Sequence, residues 1–263
     1  MKFILLFCFA ALLVPIRGQS QNTGKPAAGG FNQPARFGNS GLTMDKTKTK
    51  PKDKKMGLAS LERPEKIENP AVGNAFGTLE SGDWDAAIDQ LDDFAGKDAD
   101  AAYGLGFAYF QDGQLDKAIS AYQKAIQLDP NNLEALYDLG LVYEEKGEYA
   151  KAEAQFIRML RIDAADTDAW YELGFLYTMA DLEQDAFNCF NQVLAIDPTD
   201  PDAPFELCRL YAISGNLDKA LEKLEQAFKN GFEEVDLLLE DESLEELRST
   251  ERFEELMAQY FPD

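Results

Sequence analysis

A strictly periodic repeat constrains the fold of this chain more than any other feature. The stretch AYGLGFAY begins at Ala102, and the related stretches LYDLGLVY, WYELGFLY and PFELCRLY begin at Leu136, Trp170 and Pro204. These four starts are spaced 34 residues apart, with no insertion or deletion between them. A fixed period of this length is typical of arrays in which each unit buries its apolar face against the next. The sequence therefore predicts a series of stacked units.

Each unit has the pattern of two amphipathic helices joined by a short turn. In residues 99–132, apolar residues recur at helical spacing over 99–112 and again over 115–128. Gly113 and its neighbour fall between them as a turn, and Pro130 ends the second helix. The pattern predicts an all-α fold built from antiparallel helix pairs.

The same residue types return at fixed positions of the four consecutive units 99–132, 133–166, 167–200 and 201–234. The seventh position holds Leu105, Leu139, Leu173 and Leu207, and the eleventh holds Tyr109, Tyr143, Tyr177 and Tyr211. The twentieth holds Ala118, Ala152, Ala186 and Ala220, and the twenty-fourth holds Tyr122, Phe156, Phe190 and Leu224. This series resembles the tetratricopeptide repeat family, whose helix–turn–helix unit has the same length. The resemblance implies a right-handed α-solenoid.

The eighth position of each first helix holds a small residue, namely Gly106, Gly140, Gly174 or Cys208. A glycine inside a helix costs about 1 kcal/mol relative to alanine, so its retention needs a reason. The resemblance implies that a small residue is required there for close helix approach, with the alanines of position twenty in the matching role on the second helix. We therefore interpret these glycines as structural.

Two flanking segments complete the predicted array. Residues 68–98 contain Gly82, Ala87 and Leu91 in the expected order, but we expect this unit to lack the first-helix aromatics and to be slightly short of a full repeat. Residues 235–263 depart from the repeat and resemble the helical endings that follow many bacterial tetratricopeptide arrays. Because stacked units need terminal caps, this ending should cover the apolar face of the last repeat.

The resemblance implies that the first helices line a concave groove. Position five carries an aromatic residue in every unit, and position two carries an acidic one. Position six is mostly acidic, and position nine is mostly apolar. The candidate partner-binding residues are Asp100, Tyr103, Phe107, Glu134, Tyr137, Asp138, Leu141, Asp168, Tyr171, Glu172, Phe175, Asp202, Phe205 and Glu206.

Two interpretations of these residues remain open. In one, the aromatic side chains pack between neighbouring repeats and the acidic ones form a solvated face. In the other, an exposed aromatic row with a charged border binds a partner. The family's well-known carboxylate clamp uses Lys, Arg and Asn at these positions, which are absent here, so the groove should instead prefer a cationic, aromatic or proline-containing segment. A protein or peptide partner is expected, and nucleic acid is not.

Other chemistry has little support in the sequence. The chain has no histidine, which removes the usual general base and the commonest transition-metal ligand. The acidic clusters at 163–168 and 197–202 lack the glycine and terminal glutamate of a calcium loop. An alternative is a carbohydrate-binding or enzyme-like role for Asp138 and Glu172 beside the aromatics. Open grooves rarely desolvate a carboxylate enough to raise its pKa, so we expect no enzyme, cofactor or metal.

Residues 1–67 differ from the rest of the chain in composition. Residues 1–20 have a lysine, a short apolar run and then Pro15, as in a secretory signal peptide with cleavage at 18–20. This segment predicts export without stable membrane insertion. The chain has no Asn-x-Ser/Thr sequence, which favours a bacterial periplasmic or secreted protein over a eukaryotic secreted one. Residues 21–67 are predicted to be disordered because they have little apolar periodicity.

Charge divides the chain sharply. Residues 25–66 hold 10 Lys/Arg against 4 Asp/Glu, whereas residues 67–263 hold 13 against 44, so a basic arm precedes a body with a net charge of −31. Such a body should attract cationic partners at low salt. The segment KTKTKPKDKK at 46–55 is either a solvated linker or a competitor that lies in the acidic groove.

The mature chain has two cysteines, Cys189 and Cys208. We expect both to be buried thiols, although export would permit a disulfide between them.

Overall fold

The computed structural model describes residues 61–64 and 66–262, and all regular structure in these ranges is helical. The predicted signal peptide and most of the predicted basic arm lie outside the described residues. The five helix pairs are α1 Pro70–Glu80 with α2 Trp84–Ala95, α3 Ala99–Gln111 with α4 Leu115–Leu128, α5 Leu133–Glu145 with α6 Tyr149–Ile162, α7 Thr167–Met179 with α8 Glu183–Ile196, and α9 Asp202–Ile213 with α10 Leu217–Lys229. The predicted all-α fold of paired helices is confirmed.

An aspartate or asparagine side chain satisfies the first turn of every first helix, from the N-cap in α1, α3, α5 and α7 and from one residue earlier in α9. The side chain of Asp98 accepts a hydrogen bond from the backbone N–H of Ala101, and Asn132 and Asp166 accept the equivalent bonds at α5 and α7. Asp200 does the same for the first turn of α9. Such caps satisfy N–H groups that have no partner inside the helix. The Asp- and Asn-rich sequences between the repeats are therefore explained first by helix initiation.

The turn inside each pair needs a left-handed residue. Gly113, Gly147 and Gly215 have φ angles of 74°, 71° and 75°, which glycine adopts without steric cost. The third repeat uses Asp181 with φ 56°, a conformation that aspartate tolerates better than most residues. The first helix of residues 99–132 ends at Gln111, just before the predicted end, because the backbone of Asp112 has left the helical conformation.

The glycines at position eight confirm the predicted close packing, but their neighbour differs from the expected one. A Cβ atom built on Gly106, Gly140 or Gly174 would come within 2.5–2.6 Å of the aromatic ring at position twenty-four. The nearest atoms belong to that ring, not to the alanine at position twenty. The alanines are fully buried in their own right. Glycine is thus required because an aromatic ring occupies the space that a side chain would need.

The first pair departs from one sequence-based expectation. Helix α1 does carry an aromatic residue, Phe76, which is fully buried and stacks against Tyr103 of the next repeat with ring centroids 6.3 Å apart. The expectation that this unit lacks first-helix aromatics is therefore wrong. Phe76 lies at a different place in its helix from the position-five aromatic residues of the four full repeats, so the register of the repeats does not reveal it.

The C-terminal residues pack against the fourth repeat. Helix α11 Val235–Glu240, a 3₁₀ turn at Glu242–Leu244, α12 Glu245–Arg248 and α13 Glu251–Tyr260 follow α10. Their buried side chains join one apolar cluster with those of α10. The cluster includes Leu221, Leu224, Ala227 and Phe228 from α10, and Leu238, Leu244, Leu247, Phe253 and Leu256 from the C-terminal residues. These residues are removed from water by covering α10, which is the function of a cap.

Among the described residues, no helix has both the length and the apolar composition needed to cross a membrane.

Candidate functional site

The acidic residues of position two lie in the first turns of the first helices. Asp100, Glu134 and Asp168 are each the second residue of their helix, and Asp202 is the first residue of α9. Negative charge is favourable there because the helix N-terminus carries a partial positive charge. With the capping residues Asp98, Asp166 and Asp200 they form a set that we call the acidic edge.

The acidic edge repeats with the same geometry along the array. The charge of Glu134 helps to raise the pKa of Tyr103, although burial of the ring is the larger cause. Asp168 acts in the same way on Tyr137 of the preceding repeat, and Asp202 on Tyr171. Glu134, Asp168 and Asp202 therefore each lie near the position-five side chain of the repeat before them. This regular placement brings the carboxylates of successive repeats to one side.

Neighbouring carboxylates repel one another around Asp100 and Asp166. The pKa of Asp100 is raised, first by partial burial and then by the charges of Asp98 and Asp129, with smaller effects from Glu134 and Glu68. The pKa of Asp166 is raised for the same reasons, burial first and then Asp168 and Asp163, against a hydrogen bond from Ala169. These carboxylates are crowded, and a bound cation would relieve their repulsion.

The described ion pairs leave the exposed part of this edge without a cation. Those pairs join lysines and arginines to other carboxylates, and none of them includes Asp100, Glu134 or Asp168. Glu134 and Asp168 are exposed, and Asp100 is partly exposed. Within residues 61–64 and 66–262, the three side chains are accessible to a partner.

The aromatic residues of position five do not form the exposed row that the binding interpretation requires. Tyr103 and Phe205 are 1% exposed, Tyr171 is 5% exposed, and Tyr137 is half-buried. The apolar residues of position nine, Phe107, Leu141 and Phe175, are also buried. The rings pack against the second helices and neighbouring repeats. Their ring contacts include Tyr103–Tyr122, Tyr137–Phe156, Tyr171–Phe190 and Phe205–Phe232. The exposure assumed from the sequence is therefore wrong for these residues.

The carboxylates of position six are also buried, and tyrosine hydroxyls satisfy two of them. The hydroxyl of Tyr122 donates to Asp138 at 3.0 Å, and the hydroxyl of Tyr137 donates to Glu172 at 3.0 Å. Burial raises the pKa of Asp138 to about 7, although hydrogen bonds from Tyr122 and Tyr103 act in the opposite direction.

This raised pKa differs from our expectation for an open groove. The reason is that Asp138 lies between two repeats and is only 3% exposed. The same burial separates the carboxyl group from any substrate, so the raised pKa gives no support to the carbohydrate or carboxylate-enzyme alternative.

The fourth repeat holds a buried ionic network that sequence reasoning missed. The Arg209 guanidinium donates to Glu206 at 2.7 Å and to Asp241 of the C-terminal cap at 2.5 Å. Burial favours the neutral form of Asp241, but the charge of Arg209 and the hydrogen bonds from Ser243 and Arg209 together outweigh it and lower the pKa of Asp241. The sequence signal was the replacement of an apolar residue by arginine at position nine.

Two further features bear on the predicted site. A cavity of about 340 Å³ is lined by residues of α4, α5 and α6, and none of these belongs to the predicted groove. The lining residues are Gln123, Ile126, Gln127, Leu139, Tyr143, Gln155 and Arg158. Cys189 and Cys208 are both free and buried, as the simpler of the two cysteine hypotheses predicts.

Comparisons with known proteins agree with this architecture. A family model described as TPR repeat matches residues 106–147, and one described as tetratricopeptide repeat matches residues 137–201. No curated protein matches the chain significantly.

Solved structures share the fold at low sequence identity. PilF of Pseudomonas aeruginosa is 18% identical with a TM-score of 0.59, and the match covers 73% of this chain and 87% of PilF. YrrB, described as a TPR protein with an unusual peptide-binding site, is 24% identical with a TM-score of 0.54, covering 66% of this chain and 91% of YrrB. MamA of Desulfovibrio magneticus RS-1 is 19% identical with a TM-score of 0.54, covering 62% of this chain and 97% of that structure. At this identity the likeness shows the fold alone. The repeat period, the paired helices and the two family matches together identify residues 106–201 as tetratricopeptide repeats.

Proposed function

We propose that this protein is an interaction scaffold without chemistry of its own, and that its acidic edge binds a cationic segment of a partner protein. Tetratricopeptide repeats generally mediate contacts between proteins. The observation that carries the proposal is the acidic edge itself, where carboxylates recur at the same place in successive repeats. The peptide-binding site ascribed to YrrB is consistent with a peptide ligand for a chain of this fold.

A lysine- or arginine-bearing segment fits this edge because its charges offset a repulsion that is already present in the free protein. The raised pKa of Asp100 reports that repulsion, after the contribution of burial. The fold itself supplies one example of the chemistry, since Arg209 forms ion pairs with both Glu206 and Asp241 where the array ends. Charges at an exposed edge contribute mainly to the association rate and to specificity, so the affinity should fall as salt rises.

The burial of the aromatic side chains changes which residues should be tested. Replacing Tyr137 and Tyr171 with alanine would remove buried rings and the hydrogen bonds that they donate to Glu172 and Asp200. A loss of partner binding in that variant would not separate recognition from folding. Exposed carboxylates of the acidic edge give a cleaner test.

The test compares a double variant of the edge, Glu134→Gln with Asp168→Asn, with the wild-type protein. The probe is a fluorescein-labelled decapeptide of alternating lysine and serine, and its Kd is measured by fluorescence anisotropy at low and high salt. Each exposed carboxylate should contribute roughly 0.5–1 kcal/mol, so the double variant should bind about five- to thirty-fold more weakly at low salt.

A matched control removes two exposed carboxylates from second helices, Asp89→Asn in α2 with Glu222→Gln in α10. It changes the net charge by the same amount and should alter the Kd much less. Equal weakening in both double variants would show that net charge alone attracts the peptide and would overturn the assignment of the site. Circular dichroism should show unchanged helix content in both.

We place this scaffold in the cell envelope because residues 1–20 have the composition of a signal peptide. N-terminal sequencing of the protein from its own cells should give a first residue between 19 and 21. A protein that begins at Met1 would remove the export from the proposal and leave the binding function as it stands.

A further inference from the structure

The described chain begins on the same side of the array as the acidic edge. The backbone N–H of Glu62 donates to the hydroxyl of Tyr103 in α3 at 3.3 Å. The guanidinium of the next residue, Arg63, donates to Glu80 at 3.1 Å and to the carbonyl oxygen of Gly73 at 3.4 Å. Residues 62 and 63 are therefore held against α1 and α3, directly before the first helix pair.

This anchored segment lies within electrostatic range of the acidic edge. The charges of Glu62 and of the edge residue Glu134 both help to raise the pKa of Tyr103, after the larger effects of burial and Asp138. The charge of Glu68 contributes in the same way to Asp100. Glu62 and Glu68, which precede α1, therefore lie within electrostatic range of carboxylates of the first two full repeats.

The sequence immediately before this anchor is the most basic in the protein. Residues 46–55, KTKTKPKDKK, contain six lysines and one aspartate, and only residues 56–60 separate them from Leu61. An extended chain spans about 3.3–3.6 Å per residue, so Lys55 lies at most about 20 Å from Leu61. The lysines are consequently tethered close to the carboxylates that the proposed function assigns to a cationic partner.

We propose that the lysine-rich segment 46–55 binds the acidic edge of its own repeats and competes with the partner there. This proposal rests on the proposed function, because it names a regulator of the same site. A short tether gives an effective concentration in about the millimolar range. A segment that binds its own edge with a Kd of about 0.1–1 mM then raises the apparent Kd of a competing peptide roughly two- to ten-fold.

The experiment measures binding of the alternating lysine–serine decapeptide to the wild-type protein and to two triple variants. The first replaces the lysines nearest to the anchor, Lys52→Gln, Lys54→Gln and Lys55→Gln. The second replaces three lysines of the array, Lys97→Gln, Lys117→Gln and Lys124→Gln. Both variants change the net charge equally, so any general attraction of the peptide by a more negative protein is matched.

The proposal predicts tighter binding by the first variant than by the second, about two- to ten-fold in Kd at low salt. The difference should disappear near 1 M salt, where the screening length falls to about 3 Å. Equal Kd values for the two triple variants at low salt would overturn the proposal and leave the proposed function intact. If the wild type and both variants fail to bind the peptide at low salt, the proposed function fails as well.

A neighbouring copy of the chain is the other occupant that the measurement distinguishes. Competition within one chain does not depend on protein concentration, whereas competition by a second copy grows as the protein is concentrated. A difference between the triple variants that appears only at high protein concentration would therefore contradict binding within the chain.

Discussion

The third and fourth repeats are both helix pairs of the same kind, but they carry different residues at three equivalent positions. At position eight, Gly174 faces the ring of Phe190, whereas Cys208 is followed at position twenty-four by Leu224. At position nine, the third repeat has the buried ring of Phe175 where the fourth has an arginine. The third repeat is followed by another repeat and the fourth by the cap. The difference therefore shows how one unit changes its contacts when the array ends.

The pair at positions eight and twenty-four behaves as one packing unit. In the first three full repeats an aromatic ring leaves no room for a Cβ atom opposite it. In the fourth repeat, a smaller leucine accompanies a cysteine, and both are completely buried. The fourth repeat thus has a larger side chain at position eight and a smaller one at position twenty-four. The core remains close-packed, as is usual in protein interiors.

The largest effect is expected where the fourth repeat differs most, at Arg209. The substitution Arg209→Met should lower the free energy of unfolding by about 3–5 kcal/mol, because it leaves Glu206 and Asp241 buried without their cation. Chemical denaturation monitored by circular dichroism measures the loss. The cap should detach first, since Asp241 belongs to it, and faster hydrogen exchange in α11–α13 would report that detachment.

A control for Arg209 is Arg252→Met, which removes an arginine whose ion pair with Glu225 is largely exposed. Exposed pairs contribute about 0–1 kcal/mol, so this change should be nearly neutral. If the two arginine variants lose the same stability, the network does not hold the cap to the fourth repeat.

The next effect tests the packing of the third repeat. The substitution Gly174→Leu should destabilise the protein by about 3 kcal/mol, because its Cβ alone would approach the Phe190 ring to 2.6 Å. For a domain of this size that corresponds to a decrease of roughly 6–12 °C in the melting temperature. Thermal denaturation followed by far-ultraviolet circular dichroism measures it.

The matched control is Gly77→Leu in α1, where nothing lies within 4 Å of a built Cβ atom. Leucine favours helix over glycine by up to about 1 kcal/mol, so this variant should melt at or above the wild-type temperature. A Gly174→Leu protein that melts within a degree or two of wild type would contradict the close contact between α7 and α8.

These contrasts also show what the sequence could and could not predict. The period predicted the helix pairs and the need for glycine at Gly174, because core positions repeat wherever the same packing repeats. It did not predict the burial of Tyr103 or Tyr171, since a ring at a fixed position can face solvent or the next repeat with an identical pattern. The ionic network of Arg209 joins residues that are 32 positions apart, one of them outside the repeat, so periodicity could not reveal it.

The smallest effect concerns position six, where the second and fourth repeats differ in what satisfies a buried carboxylate. Glu206 has the guanidinium of Arg209, whereas Asp138 has the hydroxyls of Tyr122 and Tyr103, with the charges of Glu134 and Glu62 nearby. Hydroxyls do not neutralise a charge. Burial consequently dominates and raises the pKa of Asp138 to about 7 from a usual value of 3.8.

That raised pKa makes the second repeat sensitive to pH, and Asp138→Asn should remove the sensitivity. The folded protein holds the proton of Asp138 more tightly than the unfolded chain does, so this residue stabilises the fold most below about pH 4. Its contribution is lost as pH rises through 7. Asparagine keeps the shape and carries no charge. The variant should therefore gain about 2–3 kcal/mol relative to wild type between pH 5 and pH 8. Urea denaturation at these two pH values measures the change. Parallel pH dependence of the two proteins would show that the tyrosine hydroxyls stabilise the carboxylate as fully as Arg209 stabilises Glu206.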